Sequence, residues 1–440
     1  MKWRMALAVI VVITLPRIAW AQSGLVSVSL TLDDAVARGL AASHRLAEAA
    51  ARSQAADATV ALRQAATWPQ VTALAGYTRT NHVEEFGVPL SNNQQRIIYP
   101  DVPDNYRARL EAQWPLYTGG RLQALTQAAR SDAVASADEA EALRADLRFE
   151  ITRAYWGLVL AHESLRVFEE SLERARAHVR DAQNQLAAGL VPPSDLLSAQ
   201  AQESRQRMLS IQARSTRVSA EAELARLTGL PPGTPITIAS DLEAGDATMP
   251  FDTLVAQALE GRRDRRALVS RLSSAAARQQ AADAGRRPTI AVAGGFDYAR
   301  PNPRIFPRAE RWDDSWDASI NMTWSLFDGR RTAAEVAEAA AVGRAWQARI
   351  DELDSTVSLD IRQRLAELDT SEAALSAAED AVRAATEAHR VLGERFRAGV
   401  ATTTDVLGAQ VAVTQALLDR TQTLVNRSIV NARLRRTLGR

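Results

Sequence analysis

The chain of 440 residues is 46% hydrophobic and 24% charged, with a formal net charge of +1. That is ample apolar material for one or two folded domains, and it leaves no electrostatic footprint for a nucleic acid. There is no cysteine, which excludes disulfides, zinc–thiolate sites, a Cys nucleophile and a lipidated N-terminal Cys. Aromatic residues make up only 5% while alanine is abundant, a balance that favours long helices over a large aromatic core.

The N-terminus reads as an export signal, residues 1–21. Lys2 and Arg4 precede an apolar run from Met5 to Leu15, and Ala19-Trp20-Ala21 is a small-x-small cleavage pattern. The run is too short to span a bilayer as an anchor. Cleavage would leave Gln22 first, and loss of Lys2, Arg4 and Arg17 takes the net charge from +1 to −2. No later run reaches 18 apolar residues, so a mature chain that crosses a membrane must do so as a closed β-barrel.

The mature chain is a duplication, 22–240 and 241–440. Pro69 to Tyr77 aligns with Pro288 to Phe296 at an offset of 219, as do Asp33 with Asp252 and Val36 with Val255. From Trp114 the offset becomes 210: Trp114-Pro-Leu-Tyr-Thr-Gly119 matches Trp324-Ser-Leu-Phe-Asp-Gly329, the stretch from Ala188 matches that from Ala398, and Gly229 matches Gly439. One length difference of 9 residues, between Thr80 and Trp114, accounts for the change. Six anchors in order with a single indel are the mark of an internal repeat.

Each copy opens with a helix-forming stretch, 31–67 and 251–287, rich in Ala, Arg, Gln and Glu. The segments 69–80 and 106–117, and in the second copy 288–300 and 315–327, alternate with period two, the strand signature. Val71 and Tyr77, Leu110 and Trp114, Ile290 and Phe296, and Trp316, Ile320 and Trp324 fall on the apolar parity. Such strands, apolar outward, polar inward and bounded by aromatics, predict lipid-facing positions of a transmembrane barrel. No other strand-like segment is evident for a soluble hairpin to pack on. Four strands cannot close a barrel, for which about eight are the minimum, so several protomers must share one.

The stretch 121–188 contains no Pro and only Gly157, predicting a helix of about 100 Å, and 330–398 predicts its copy. Leu143, Leu147, Ile151, Ala154, Leu158 and Leu165 form a stripe at three- and four-residue steps, as in coiled-coil packing. Turns at Gly189 and Gly399 lead into return helices, 194–228 and 402–438. With the opening helices these are half the length of the long ones, so two stacked end to end match one long helix.

This order, with the motif Ala188-Gly-Leu-x-x-x-Ser194-Asp195-Leu-Leu, its copy Ala398-Gly-Val-x-x-x-Thr404-Asp405-Val-Leu, and the Ala-Gln steps at Ala199 and Ala409, resembles the TolC-like outer-membrane efflux proteins over essentially the whole mature chain. The resemblance implies a mainly α chain with membrane β: a homotrimer whose twelve strands, four per chain, form an outer-membrane barrel in lipid, continued by a long periplasmic α-helical barrel. It implies an exit duct for efflux or type I secretion, working with a periplasmic adaptor (a membrane fusion protein) and an inner-membrane RND or ABC transporter. The tip turns, with Gly189, Leu190, Ser194, Gly399, Val400 and Thr404, would dock the adaptor. Asp405 would belong to the aperture ring and Asp195 to the contacts closing the tip. Two departures from the family's best-studied member stand out: its second tip acid is Gly408 here, and its tip Arg is Ala401. Both Asp residues also have an ordinary reading. Thr402-x-x-Asp405 is a capping box, and Pro192-Pro193-Ser194-Asp195 is a Pro-led helix start.

Enzyme signatures are missing. The five His residues show no metal-binding spacing, and isolated on charged helices they read as solvated surface. There is no phosphate loop and no nucleophile elbow, so neither catalysis, nor a cofactor, nor a metal site is predicted. The rival reading is a secreted helical coiled-coil adaptor or structural rod, which leaves the four alternating strands unexplained. A porin of this length would need many more strands.

Overall fold

The computed structural model describes residues 27–90, 94–239 and 249–439. The export signal and the boundary between the two copies lie outside these residues.

Two helices dominate, α3 (Arg121–Ala187) and α7 (Arg331–Arg397), each of 67 residues and so about 100 Å long. Each is followed by a return helix, α4 (Pro193–Thr228) and α8 (Thr403–Thr437). The opening stretch of each copy is two helices rather than one: α1 (Leu32–Ala42) and α2 (His44–Ala65), then α5 (Phe251–Gly261) and α6 (Arg263–Asp283). Ser43 and Arg262 sit at the two breaks in extended conformation, and 43 and 262 differ by the same 219 that relates the copies. Neither break has a Pro. Ser43 turns the chain and caps α2, its hydroxyl accepting from the Leu46 N–H at 3.3 Å. The turn lets α1 and α5 lay short apolar faces on the long helices instead of continuing the wall.

The four membrane-type strands β2 (Gln70–Arg79), β5 (Asp104–Tyr117), β7 (Thr289–Arg300) and β8 (Asp313–Thr323) form one antiparallel sheet in the order β2-β5-β7-β8. The strands of the two copies therefore meet at the β5–β7 pair, and β2 and β8 are left as edges. Four further strands correct the expectation of none beyond these. In the loop after β2, β3 (Phe86–Pro89) and β4 (Gln95–Tyr99) make a small hairpin. At mid-height β1 (Val28–Leu30) pairs in parallel with β6 (Ile236–Ile238). All are short, and turn-forming neighbours mask them in the sequence.

The helical wall continues the sheet. Near the strands the lateral order is α2-α3-α6-α7, and toward the far tip it is α4-α3-α8-α7. The copies are zipped where α6 runs antiparallel to α3: Arg271 meets Asp132 at 3.1 Å and Glu139 at 3.0 Å, Arg278 meets Asp132 at 2.7 Å, and Arg263 meets the buried Asp138 at 3.2 Å. The main core lies at mid-height, where Ile151, Tyr155 and Leu158 of α3 pack with Leu224 of α4, Ala35 of α1, Leu30, Ile236 and Val425. A smaller core joins Leu254 and Ala258 of α5 to Val357 and Ile361 of α7 and to Leu438. Among the described residues no helix is long and apolar enough to cross a membrane.

Candidate functional site

Two regions hold the arrangement that bears on function: the sheet at one end and the paired turns at the other, with the helical wall between them.

The register puts the apolar set on one face. Val71 lies opposite Ala112, Tyr77 opposite Tyr106, Leu110 opposite Phe296, Trp114 opposite Val292, Ile290 opposite Met322, Val292 opposite Ile320, and Phe296 opposite Trp316. Most of this face is open, with Trp316 72% and Ile320 74% exposed; Ile290 is only half-buried. Large apolar side chains left so exposed need a cover other than water. Trp324 falls just beyond the end of β8, which is shorter than the 315–327 predicted. Its indole N–H donates to the Arg286 carbonyl at 3.1 Å, and Trp114 donates to the Thr67 carbonyl at 3.1 Å. These twin bonds fasten the second strand of each copy to the backbone joining helix and first strand.

At the far end, α3 and α7 stop in the same way. Gly189 (φ +71°) and Gly399 (φ +75°) adopt the left-handed conformation. The Leu190 N–H donates to the Gln185 carbonyl and the Val400 N–H to the Arg395 carbonyl, both at 2.9 Å, a Schellman closure that only glycine enters without strain. Leu190 and Val400 then project from the tips, 75% and 62% exposed. Ser194 and Thr404 are also exposed, in the first turns of the return helices.

The two Asp residues differ in their surroundings. Asp405 forms a full capping box with Thr402: its carboxylate accepts from the Thr402 N–H at 2.9 Å and hydroxyl at 2.7 Å, while the Asp405 N–H donates to the Thr402 hydroxyl at 3.2 Å. The Thr402 backbone N–H, then its hydroxyl, hold this carboxyl below the usual carboxylate range, and Arg395 adds to the effect. The cap is therefore complete above about pH 4 and is lost as pH falls through the lowered value. Asp195 instead accepts a bond from the buried hydroxyl of Thr403 at 2.8 Å. That bond ties one tip turn to the other. No spacing rule links residues 208 apart, so it was invisible in the sequence; Arg395 beside Asp405 was missed too.

One expectation fails outright. His178 is not solvated: it is only 8% exposed, its ring centroid lies 5.5 Å from that of Phe396, and burial pushes its pKa down. Near the tip its ring fills space against Phe396, which reaches it from α7. Gln410, quoted only as part of a motif, is 2% exposed and donates to the Ser171 carbonyl at 3.0 Å. Beside it the Ser171 and Thr414 hydroxyls lie 3.0 Å apart, so a buried polar lock joins α8 to α3 above the tip.

With this geometry in hand, comparison with known proteins is specific. Protein CyaE of Bordetella pertussis is 28% identical over 389 residues, covering 87% of this chain and 78% of that protein. Among solved structures, a membrane protein of Pseudomonas aeruginosa superposes with a TM-score of 0.78 at 22% identity, covering 93% of both chains. The outer membrane protein VceC of Vibrio cholerae gives 0.76 at 20% identity, over 93% of this chain and 96% of that one. The open-state MtrE outer membrane channel of Neisseria gonorrhoeae gives 0.74 at 20%, over 93% and 88%. The family pattern of outer membrane efflux proteins matches residues 36–230 and again 254–440. By that match the chain belongs to the outer membrane efflux protein family.

Proposed function

We propose that three copies of this chain close into one channel that carries solutes out across the outer membrane, as the exit duct of an efflux or type I secretion system. The observation that carries this reading is the pair of open edges. β2 and β8 bound the sheet, and α2, α4 and α7 bound the wall on the same two sides, so one side of a chain fits the opposite side of the next. A head-to-tail interface makes a ring when its rotation closes, and a sheet whose apolar face meets lipid must close, since open edges are not tolerated there. Three chains give twelve strands, enough for a barrel with a water-filled interior. In that ring Val71, Tyr77, Leu110, Trp114, Ile290, Phe296, Trp316, Ile320 and Trp324 meet lipid, and the helices hang in the periplasm. The matching of the family pattern to each half supports a duplicated origin.

The tips, with Leu190 and Val400 as apolar knobs and the turns at Ser194 and Thr404 beside them, would receive a periplasmic adaptor that links the duct to an inner-membrane RND or ABC transporter. Membership in the family and the membrane-type sheet remove the rival reading of a secreted helical rod. The test is to purify the protein from outer membranes and add it to planar bilayers. A heat-modifiable trimer with discrete conductance steps is expected, whereas a monomer that never conducts would refute the channel.

At the tip we assign Asp405 to the aperture and Asp195 to the bond that holds it shut. Removing the aperture charge and removing the cap should separate. Asp405→Asn is expected to lower the cation preference measured as a reversal potential across a KCl gradient. Thr402→Ala removes only the cap, at a cost of about 1 kcal/mol, and should leave that preference intact. Equal effects of the two would reduce Asp405 to a helix cap.

A further inference from the structure

The polar face of the sheet is not uniformly polar. Toward the periplasmic ends of the strands it carries Gln70, Thr72, Gln113, Thr289, Ala291, Ser319, Asn321 and Thr323, all uncharged. Every lumen-side charge of the four strands lies from mid-strand to the outer ends: Arg107, Arg109, Glu111, Asp297, Asp313 and Asp317. Asp297 is the hub. It is 3% exposed, accepts from Arg107 at 2.6 Å, and pairs closely with Arg109. Arg109 also meets Glu111 and Asp317, each at 3.3 Å. Its guanidinium lies over Gly295, where any Cβ would overlap it, so the backbone makes room for the charge.

The segment 301–312, between β7 and β8, starts by folding back onto the same face, and its end crosses to the other, where Trp312 stacks on Tyr298 at 4.9 Å. Asn302 is 2% exposed and donates to the Asp313 carbonyl and the Ser315 hydroxyl, both at 3.0 Å. Arg304 donates to the Trp316 carbonyl at 2.6 Å and stands 3.5 Å from Asp317. Burial along β7 shows the cover: Phe296 and Tyr298, on the apolar face, are exposed, whereas Asp297 and Ala299, on the polar face, are buried.

We propose that this strap and the charges under it form a second selectivity element, a constriction at the outer mouth whose charges balance. Arg107, Arg109 and Arg304 stand against Glu111, Asp297 and Asp317, while Asp313 is paired with Arg311 at 3.0 Å. Repeated around the ring, this tier narrows the passage without favouring either ion sign, and charge discrimination is left to the tip. The inference rests on the reading that the polar face lines the lumen. A charged ring governs permeation through its net sign and its width.

The test uses full-length channels in planar bilayers. Arg304→Ala, on the strap and outside the strands, should raise conductance by roughly 1.5-fold as the strap loosens, and should shift reversal potential toward cations. Asp317→Asn should shift it the other way. A conductance and reversal potential that match the parent in both variants would overturn the proposal. The lumen reading is checked separately, because the chain has no native cysteine. Ser319→Cys, lower on the same face, should react with a water-soluble thiol reagent and reduce current. If it does not react, the lumen assignment fails; if it reacts while Arg304→Ala behaves as parent, only the constriction fails.

Discussion

Ile320→Arg is expected to abolish the assembled channel, while Ser319→Arg, one residue away, is tolerated. Ile320 is 74% exposed on the apolar face. It sits midway between Trp316 and Trp324 on that face, and those two positions are about 26 Å apart along an extended strand. Tyr106 and Trp114 bracket Leu110 in the same way on β5. Paired aromatics at that spacing mark the two borders of a lipid-facing band, with Ile320 near its middle. A guanidinium at the midplane of a barrel's lipid face costs about 2–4 kcal/mol, and a ring of three chains would incur it three times. The side chain of residue 319 points to the other face, among uncharged polar residues, where in the proposed channel water would solvate an added charge. Outer-membrane fractions run unheated on a gel would report the trimer. Equal yields of the two variants would mean that the apolar face does not meet lipid.

Why these two neighbours could be told apart from sequence, and others could not, comes down to the range of each interaction. Strand parity is a period of two, written into every second residue of 104–117 and 313–323, so the face of Ile320 could be read without any partner. The long helices were readable for a similar reason: 68 residues pass from Arg121 to Ala188 without Pro. The duplication sharpened both, since each pattern appears twice. By contrast, the break at Ser43 carries no Pro or Gly. It is imposed by the packing of α1 on a core assembled from β1, α3, α4, β6 and α8. β1 and β6 are three-residue strands that exist only because residues 28 and 236 meet. The bonds from Thr403 to Asp195 and from Gln410 to Ser171 cross between the copies, so no local rule anticipates them. His178 misled for the same reason, because a seam between distant helices turns an apparently solvated ring into a buried one. At the tip, the local part of the site was legible, since Thr402-x-x-Asp405 is a spacing rule. What Asp195 holds was not.

The same distinction sets the largest effect expected in the helical part. Leu224→Ala should loosen the whole mid-height collar and leave the barrel in place. Leu224 is fully buried, at 0% exposure, against Ile151, Tyr155 and Leu158 of the long helix and against Leu30, Ala35, Ile236 and Val425 from other segments. Truncating such a leucine costs about 2–5 kcal/mol, the upper part of that range applying where neighbours cannot collapse into the space. Here they cannot move freely. Tyr155 is held by its hydroxyl, which donates toward the Ala239 carbonyl at 3.1 Å and lies 3.4 Å from that of Leu30, and α3, which carries it, continues for many turns on either side. Tyr155→Phe loses only these bonds and should cost about 1 kcal/mol. It is the control for a change in the same cluster that leaves no cavity. Limited proteolysis in detergent separates the outcomes: early cuts near Leu30 and Ile236 are expected in Leu224→Ala, with the β-sheet signal retained on heating. If both variants resist protease as the parent does, the collar is held by contacts between chains rather than by this core.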